Sequence, residues 1–118
     1  MGMATFETVR AIAREFPDVH ETTMWGSPAI KLGKRLVACM ASHKSAEPDS
    51  LVVRTDYEQR PALLSDDPET YYLKDHYVNY PVVLVRLARV NAGQLRDILG
   101  AARQCVLADA KKRSRSRH

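Results

Sequence analysis

The stretch from Trp25 to Met40 restricts the choice of folds more than any other part of this chain. Two apolar runs, Ala29 to Leu32 and Leu36 to Met40, flank Gly33-Lys34. A short polar link containing glycine between two such runs reads as a β-hairpin. Gly26, directly after Trp25, permits a backbone angle that other residues avoid, and Pro28 pushes Ser27 into an extended conformation. A large aromatic, a bend and a hairpin thus fall in one short segment, and the rest of the chain must supply what packs against it.

The flanking segments read as helices and further strands. Met1 to Ala4 reads as a loose start. Phe6, Val9, Ala13 and Phe16 recur at helical spacing, so Thr5 to Phe16 reads as an amphipathic helix capped by Thr5 and stopped by Pro17-Asp18. His20 to Met24 suits a short strand, Ser42 to Ser50 a polar loop, and Leu51 to Arg54 a strand. Asp56 with Gln59 signals a helix start that Pro61 delays or tightens, and Leu63 and Leu64 are its expected core contacts. Thr70 to Leu73 reads as a strand, His76 to Pro81 as an aromatic loop, and Val82 to Leu87 as a nearly unbroken apolar strand. Asn91 with Gln94 caps a last helix whose stripe is Leu95, Ile98, Leu99, Ala102 and Val106. This order predicts an α+β fold: a single two-layer domain over residues 1–110, with a largely antiparallel sheet and helices packed on one face.

The formal charge of +4 belongs to the end of the chain. Lys111, Lys112, Arg113, Arg115 and Arg117 put five cations into the last eight residues, leaving 13 basic against 14 acidic side chains before them. A broadly electropositive body is therefore not expected. Residues 111–118 are too charged and too poor in apolar side chains to pack, and are expected to be disordered. Cys39 and Cys105 sit in apolar runs and read as buried free thiols. No apolar run approaches the roughly 18 residues of a membrane span. The N-terminus lacks a secretory pattern, so a cytoplasmic protein is expected.

Signatures of catalysis are absent. His20, His43, His76 and His118 are scattered without metal-ligand spacing, so neither a metal nor any other cofactor is expected. Cys39 with His43 is the one tempting nucleophile pair, but a thiol in an apolar strand should be protonated and inert. The glycines form no phosphate-binding loop.

Three stretches carry a resemblance: Trp25-Gly26-Ser27-Pro28-Ala29-Ile30-Lys31-Leu32-Gly33-Lys34, Asp66-Asp67-Pro68-Glu69-Thr70-Tyr71-Tyr72, and His76 to Leu87. Together they resemble the MmcQ/YjbR-like family over roughly residues 5–108. That resemblance implies a CyaY-like arrangement and a "double wing" DNA-binding assignment that rests on fold, which does not determine function. Two positions depart from it: Val82, where the family often carries Trp, and Ile30, where it often carries an aromatic.

The resulting expectation is a non-enzymatic binding domain, monomeric rather than dimeric, with DNA as a weak, salt-sensitive partner. Lys31, Lys34 and Arg35 at the hairpin, Arg54 and Arg86 on strands, and the terminal cations would meet phosphates. Trp25, His76, Tyr77 and Tyr80 would form a small recognition surface, unless the tyrosine rings simply pack on the sheet and tether their loop. The alternative is a protein-interaction or small-ligand module built on the sheet and the Tyr-rich loop, which a concave pocket beside Trp25 and Tyr80, or an exposed apolar patch of several hundred Å², would favour.

Overall fold

The hairpin forms where the sequence places it. The structure is a computed structural model that describes residues 4–24 and 26–115, with side chains as far as Lys111; Trp25 lies outside the described residues. Gly33 adopts a φ of 62° and turns the chain between β2 (Ser27–Leu32) and β3 (Arg35–Met40). The remaining strands are β1 (His20–Met24), β4 (Ser50–Arg54), β5 (Tyr71–Tyr72) and β6 (Val82–Arg86). They form one open sheet in the order β1-β2-β3-β4-β6-β5, every neighbouring pair antiparallel.

One irregularity divides the hairpin. Ile30 lies opposite Ala38 and Lys31 opposite Leu36, so Val37 is an extra residue on β3. Such a bulge lets adjacent residues serve one face. Val37 and Ala38 both enter the core beneath the helices.

The helices are α1 (Phe6–Ala13), α2 (Arg60–Asp66) and α3 (Ala92–Arg115). Val9 and Ile12 of α1 and the whole predicted stripe of α3 meet Ile30, Leu51, Val53, Val83 and Val85 from the sheet. Burying each such aliphatic side chain favours the fold by roughly 1.5–3 kcal/mol, which is why the helices sit on this face. Asn91 and Gln94 cap α3 reciprocally: the Asn91 N–H donates to Gln94 Oε1 at 3.1 Å and the Gln94 N–H to Asn91 Oδ1 at 2.8 Å.

Several boundaries differ from the sequence expectation. Ala4 is buried, and its N–H donates to the Leu87 carbonyl at 3.0 Å, so the start is tied down at that point. α1 stops at Ala13, and tighter bonds from Glu15 to Ile12 and from Phe16 to Ala13 carry the chain to Phe16. α2 starts only at Arg60. Asp56 instead holds a preceding turn by accepting the Gln59 N–H at 2.7 Å, and Pro61 falls in the first helical turn, where its missing donor costs little. Leu63 and Leu64 reach the core only half-buried. Cys39 is a buried free thiol as expected, but Cys105 is only partly buried. α3 continues through Arg115, so residues 111–115, expected to be disordered, are helical, while 116–118 lie outside the described residues.

The second sheet face is also apolar. Strand register lines up Ala29, Cys39, Val52, Leu84 and Tyr72 in one row across five strands, all buried. Among the described residues no α-helix covers this row. Two loops do, residues 41–49 and 73–81.

Candidate functional site

Each of the two loops is clamped from outside by an arginine. Arg86, at the end of β6, grips both Glu47 carboxylate oxygens at 2.9 and 2.7 Å and donates to the carbonyls of Pro68 and Glu69, each at 3.0 Å. Its guanidinium lies 4.2 Å over the Tyr72 ring. The Tyr72 hydroxyl accepts the Glu47 N–H at 2.8 Å and bonds to Ser50 Oγ, tying the same loop from inside. Arg60, at the start of α2, gathers the carbonyls of Val78, Tyr80 and Val82 at 3.0, 2.8 and 3.3 Å, while the Tyr57 hydroxyl donates to the Asn79 carbonyl at 2.6 Å. Both loops also touch the sheet, through Ala41, Ala46, Leu73 and Tyr77.

Between them lies a cleft of about 490 Å³. Its floor is Met24, Leu36, Cys39, Val52 and Val82; Ser42, His43, His76, Tyr77 and Tyr80 form the walls. A 3-10 turn at Asp75–Tyr77 directs Tyr77 inward, where it is buried, and leaves His76 and Tyr80 exposed at the rim. No carboxylate is among the lining residues.

The loops meet through their histidines. The His43 and His76 rings stack with centroids 3.6 Å apart and planes within 10°, and Tyr77 packs edge-on against His76 at 4.8 Å. The Ser45 N–H donates to His43 Nδ1 at 3.1 Å. A backbone N–H can only donate, so Nδ1 accepts and the neutral ring carries its proton on Nε2. Burial, the facing His76 ring and Lys44 all hold the His43 pKa below its usual value. On the floor, burial pushes the Cys39 thiol up to about 11, against a smaller opposing effect of Lys31. Cys39 therefore carries essentially no thiolate at neutral pH. Burial also raises the Tyr77 phenol, partly offset by the His43 backbone.

The residues expected to meet DNA are dispersed. Lys34 is exposed in the hairpin turn. Lys31 shares the cleft face with its partner Leu36, whereas Arg35 pairs with Leu32, which packs on the helix side, so the two cations leave the hairpin on opposite faces. Arg54 is engaged within the fold, its guanidinium 2.6 Å from Asp109 of α3 with 14% of the side chain exposed. Arg86 is the loop clamp described above. Of the expected recognition surface, His76, Tyr77 and Tyr80 do come together, and Trp25 follows the cleft residue Met24 but lies outside the described residues. Val82 lines the cleft and Ile30 lies in the helix-side core.

The pairing of His43 with His76 and the individual floor residues are not among the expected site residues, although the alternative of a module on the sheet and the Tyr-rich loop covers this face. The available signal was the unbroken apolar character of Leu51–Val53 and Val82–Val85. Strands apolar at every position are covered on both faces, so helices on one side alone could not account for them.

No protein-family model matches the chain, and no solved structure matches it. Uncharacterised proteins of Mycobacterium bovis and Mycobacterium tuberculosis are 39% identical over 41 residues, 35% of this chain and 32% of each relative. The match thus spans about a third of those proteins. Among the described residues no helix is long and apolar enough to cross a membrane, and no group of three or more His, Cys, Asp or Glu side chains is placed to hold a metal ion.

Proposed function

We propose that this chain is a non-enzymatic binding domain of the cytoplasm, monomeric, whose cleft takes a small ligand with an apolar body. One observation carries the reading: a cavity of about 490 Å³ between a largely aliphatic floor and two loops that Arg60 and Arg86 tie in place. Ligand sites are typically about 300–1,000 Å³, mostly apolar and preformed, with a few polar groups at fixed positions. Here those groups are the His43–His76 stack and the phenols of Tyr77 and Tyr80. Against catalysis stands Cys39, whose thiol, near pKa 11, offers no nucleophile beside the imidazoles.

N-phenyl-1-naphthylamine, a neutral apolar fluorophore, tests this reading. It should bind the native chain with micromolar affinity and brighten. Leu36 is half-buried in the cleft floor, so Leu36→Glu should abolish the signal while circular dichroism stays unchanged. No binding by the native chain, or binding that survives the substitution in folded protein, refutes the cleft as a ligand site.

DNA binding of the kind implied by the MmcQ/YjbR resemblance is the second reading, and membership of that family is part of it. Lys34, exposed in the hairpin turn, and the cations from Lys111 onward favour it. Labelled duplex titrated at two salt concentrations should show a slope of about 0.9 per displaced counterion. Binding that weakens in Lys34→Gln and survives deletion of residues 111–118 supports this reading. Binding that vanishes with that deletion removes the folded body from it.

A further inference from the structure

Cleft, charge and register together say which apolar ligand fits. The lining residues include no acid, and Glu47 of the 41–49 loop is paired with Arg86. Asp75, which precedes His76, is exposed at the start of its 3-10 turn. Cations, by contrast, neighbour lining residues on the sheet and on the 41–49 loop. Lys31 lies directly across from the floor residue Leu36 on the same sheet face, and its charge is felt at Cys39 on that floor. Its partner on β1 is His20, which is exposed. Lys44 follows the wall residue His43 in the chain, and its charge acts on that ring.

We propose that the ligand is an amphipathic anion, an aliphatic or aromatic body ending in a carboxylate, with its body on the sheet floor and its head at Lys31. This rests on the cleft being the ligand site. An ammonium at the edge of an apolar floor suits that head because a charge-assisted bond in partly dehydrated surroundings is stronger than a neutral one. A neutral ligand of equal length would leave Lys31 without a counter-charge and would gain only the floor. His43 adds an Nε2–H donor on the loop wall without supplying any competing negative charge.

Displacement of bound N-phenyl-1-naphthylamine by decanoate and by decanol separates the possibilities, since the two share a chain and differ in the head. Decanoate should displace the probe at about tenfold lower concentration, the equivalent of one good ionic contact. Lys31→Gln should bring decanoate to the level of decanol without changing decanol, and Lys31→Arg should restore most of the difference. Equal displacement by the two, or a Lys31→Gln chain that still prefers decanoate, overturns the anionic ligand while the probe's own binding leaves the cleft intact as a site. A probe that fails to bind, or that ignores Leu36→Glu, removes the cleft and this assignment together.

Discussion

Arg86 reads in the sequence as a strand cation available to a partner, and in the fold it is a clamp. Its guanidinium satisfies Glu47 and two carbonyls while covering the Tyr72 ring. Each guanidinium is raised or carboxylate lowered chiefly by the other, so the two pKa directions agree. Glu47 keeps 44% of its side chain exposed, and solvent screens the ion pair. The carbonyl bonds and ring contact are the larger part of its contribution. Arg86→Ala is expected to cost about 1–2 kcal/mol in chemical denaturation, with faster amide exchange in residues 43–47. Arg86→Lys should recover little, because an ammonium cannot span the same acceptors in a plane. Arg54 is similar: its partner Asp109 is 55 residues away in the chain, and nothing local announces the pair.

At the scale of elements, α3 and the two loops behave differently. α3 is a local construction, with reciprocal caps and a stripe of regular spacing. Gly100 is a weak position in its interior, and a Cβ built there would meet only the Phe16 ring edge at 3.9 Å, an ordinary contact. Gly100→Ala is therefore expected to stabilise the protein by about 0.5–1 kcal/mol, the helix-interior difference between the two residues, seen as a raised Tm. The loops depend on each other through His43 and His76. Because the folded His43 pKa lies below its usual 6.5, the unfolded chain binds protons that the folded chain refuses. Stability from this residue is present above pH of about 6.5 and is lost as pH falls through the folded value. Denaturation at a series of pH values should show that decline, and His43→Gln should flatten it. The carboxylates held low by arginines, Glu15, Asp18 and Glu47, act in a lower and separable window.

Across the whole molecule, charge and core are segregated. Paired arginines join the helices and the segment after α1: Arg96 to Glu15 at 2.8 Å and Arg103 to Asp18 at 2.7 Å. The cations from Lys111 onward lie beyond Val106, the last buried residue of the α3 stripe. Deleting residues 111–118 should thus leave the denaturation midpoint nearly unchanged, within about 0.5 kcal/mol, while markedly lowering the pI. A large loss of stability would mean that the end of α3 packs on the body.

The hairpin, the cap of α3, the order of elements and the stripe of α3 were legible in the sequence, because turn residues, caps and periodicity act within a few positions; Asp56 with Gln59 marked a turn rather than the start of α2. The covered face of each strand was only partly legible: the unbroken apolar runs implied two buried faces, but not what covers the second. The bulge at Val37 hid the alternation that would have placed Leu36 and Lys31 on the cleft side. Only tertiary structure joined His43 to His76 and Arg86 to Glu47, and it drew Arg54 inward to Asp109. Those contacts span 33, 39 and 55 positions of chain, and a side chain's partner at such separations is decided by packing rather than by its neighbours in sequence.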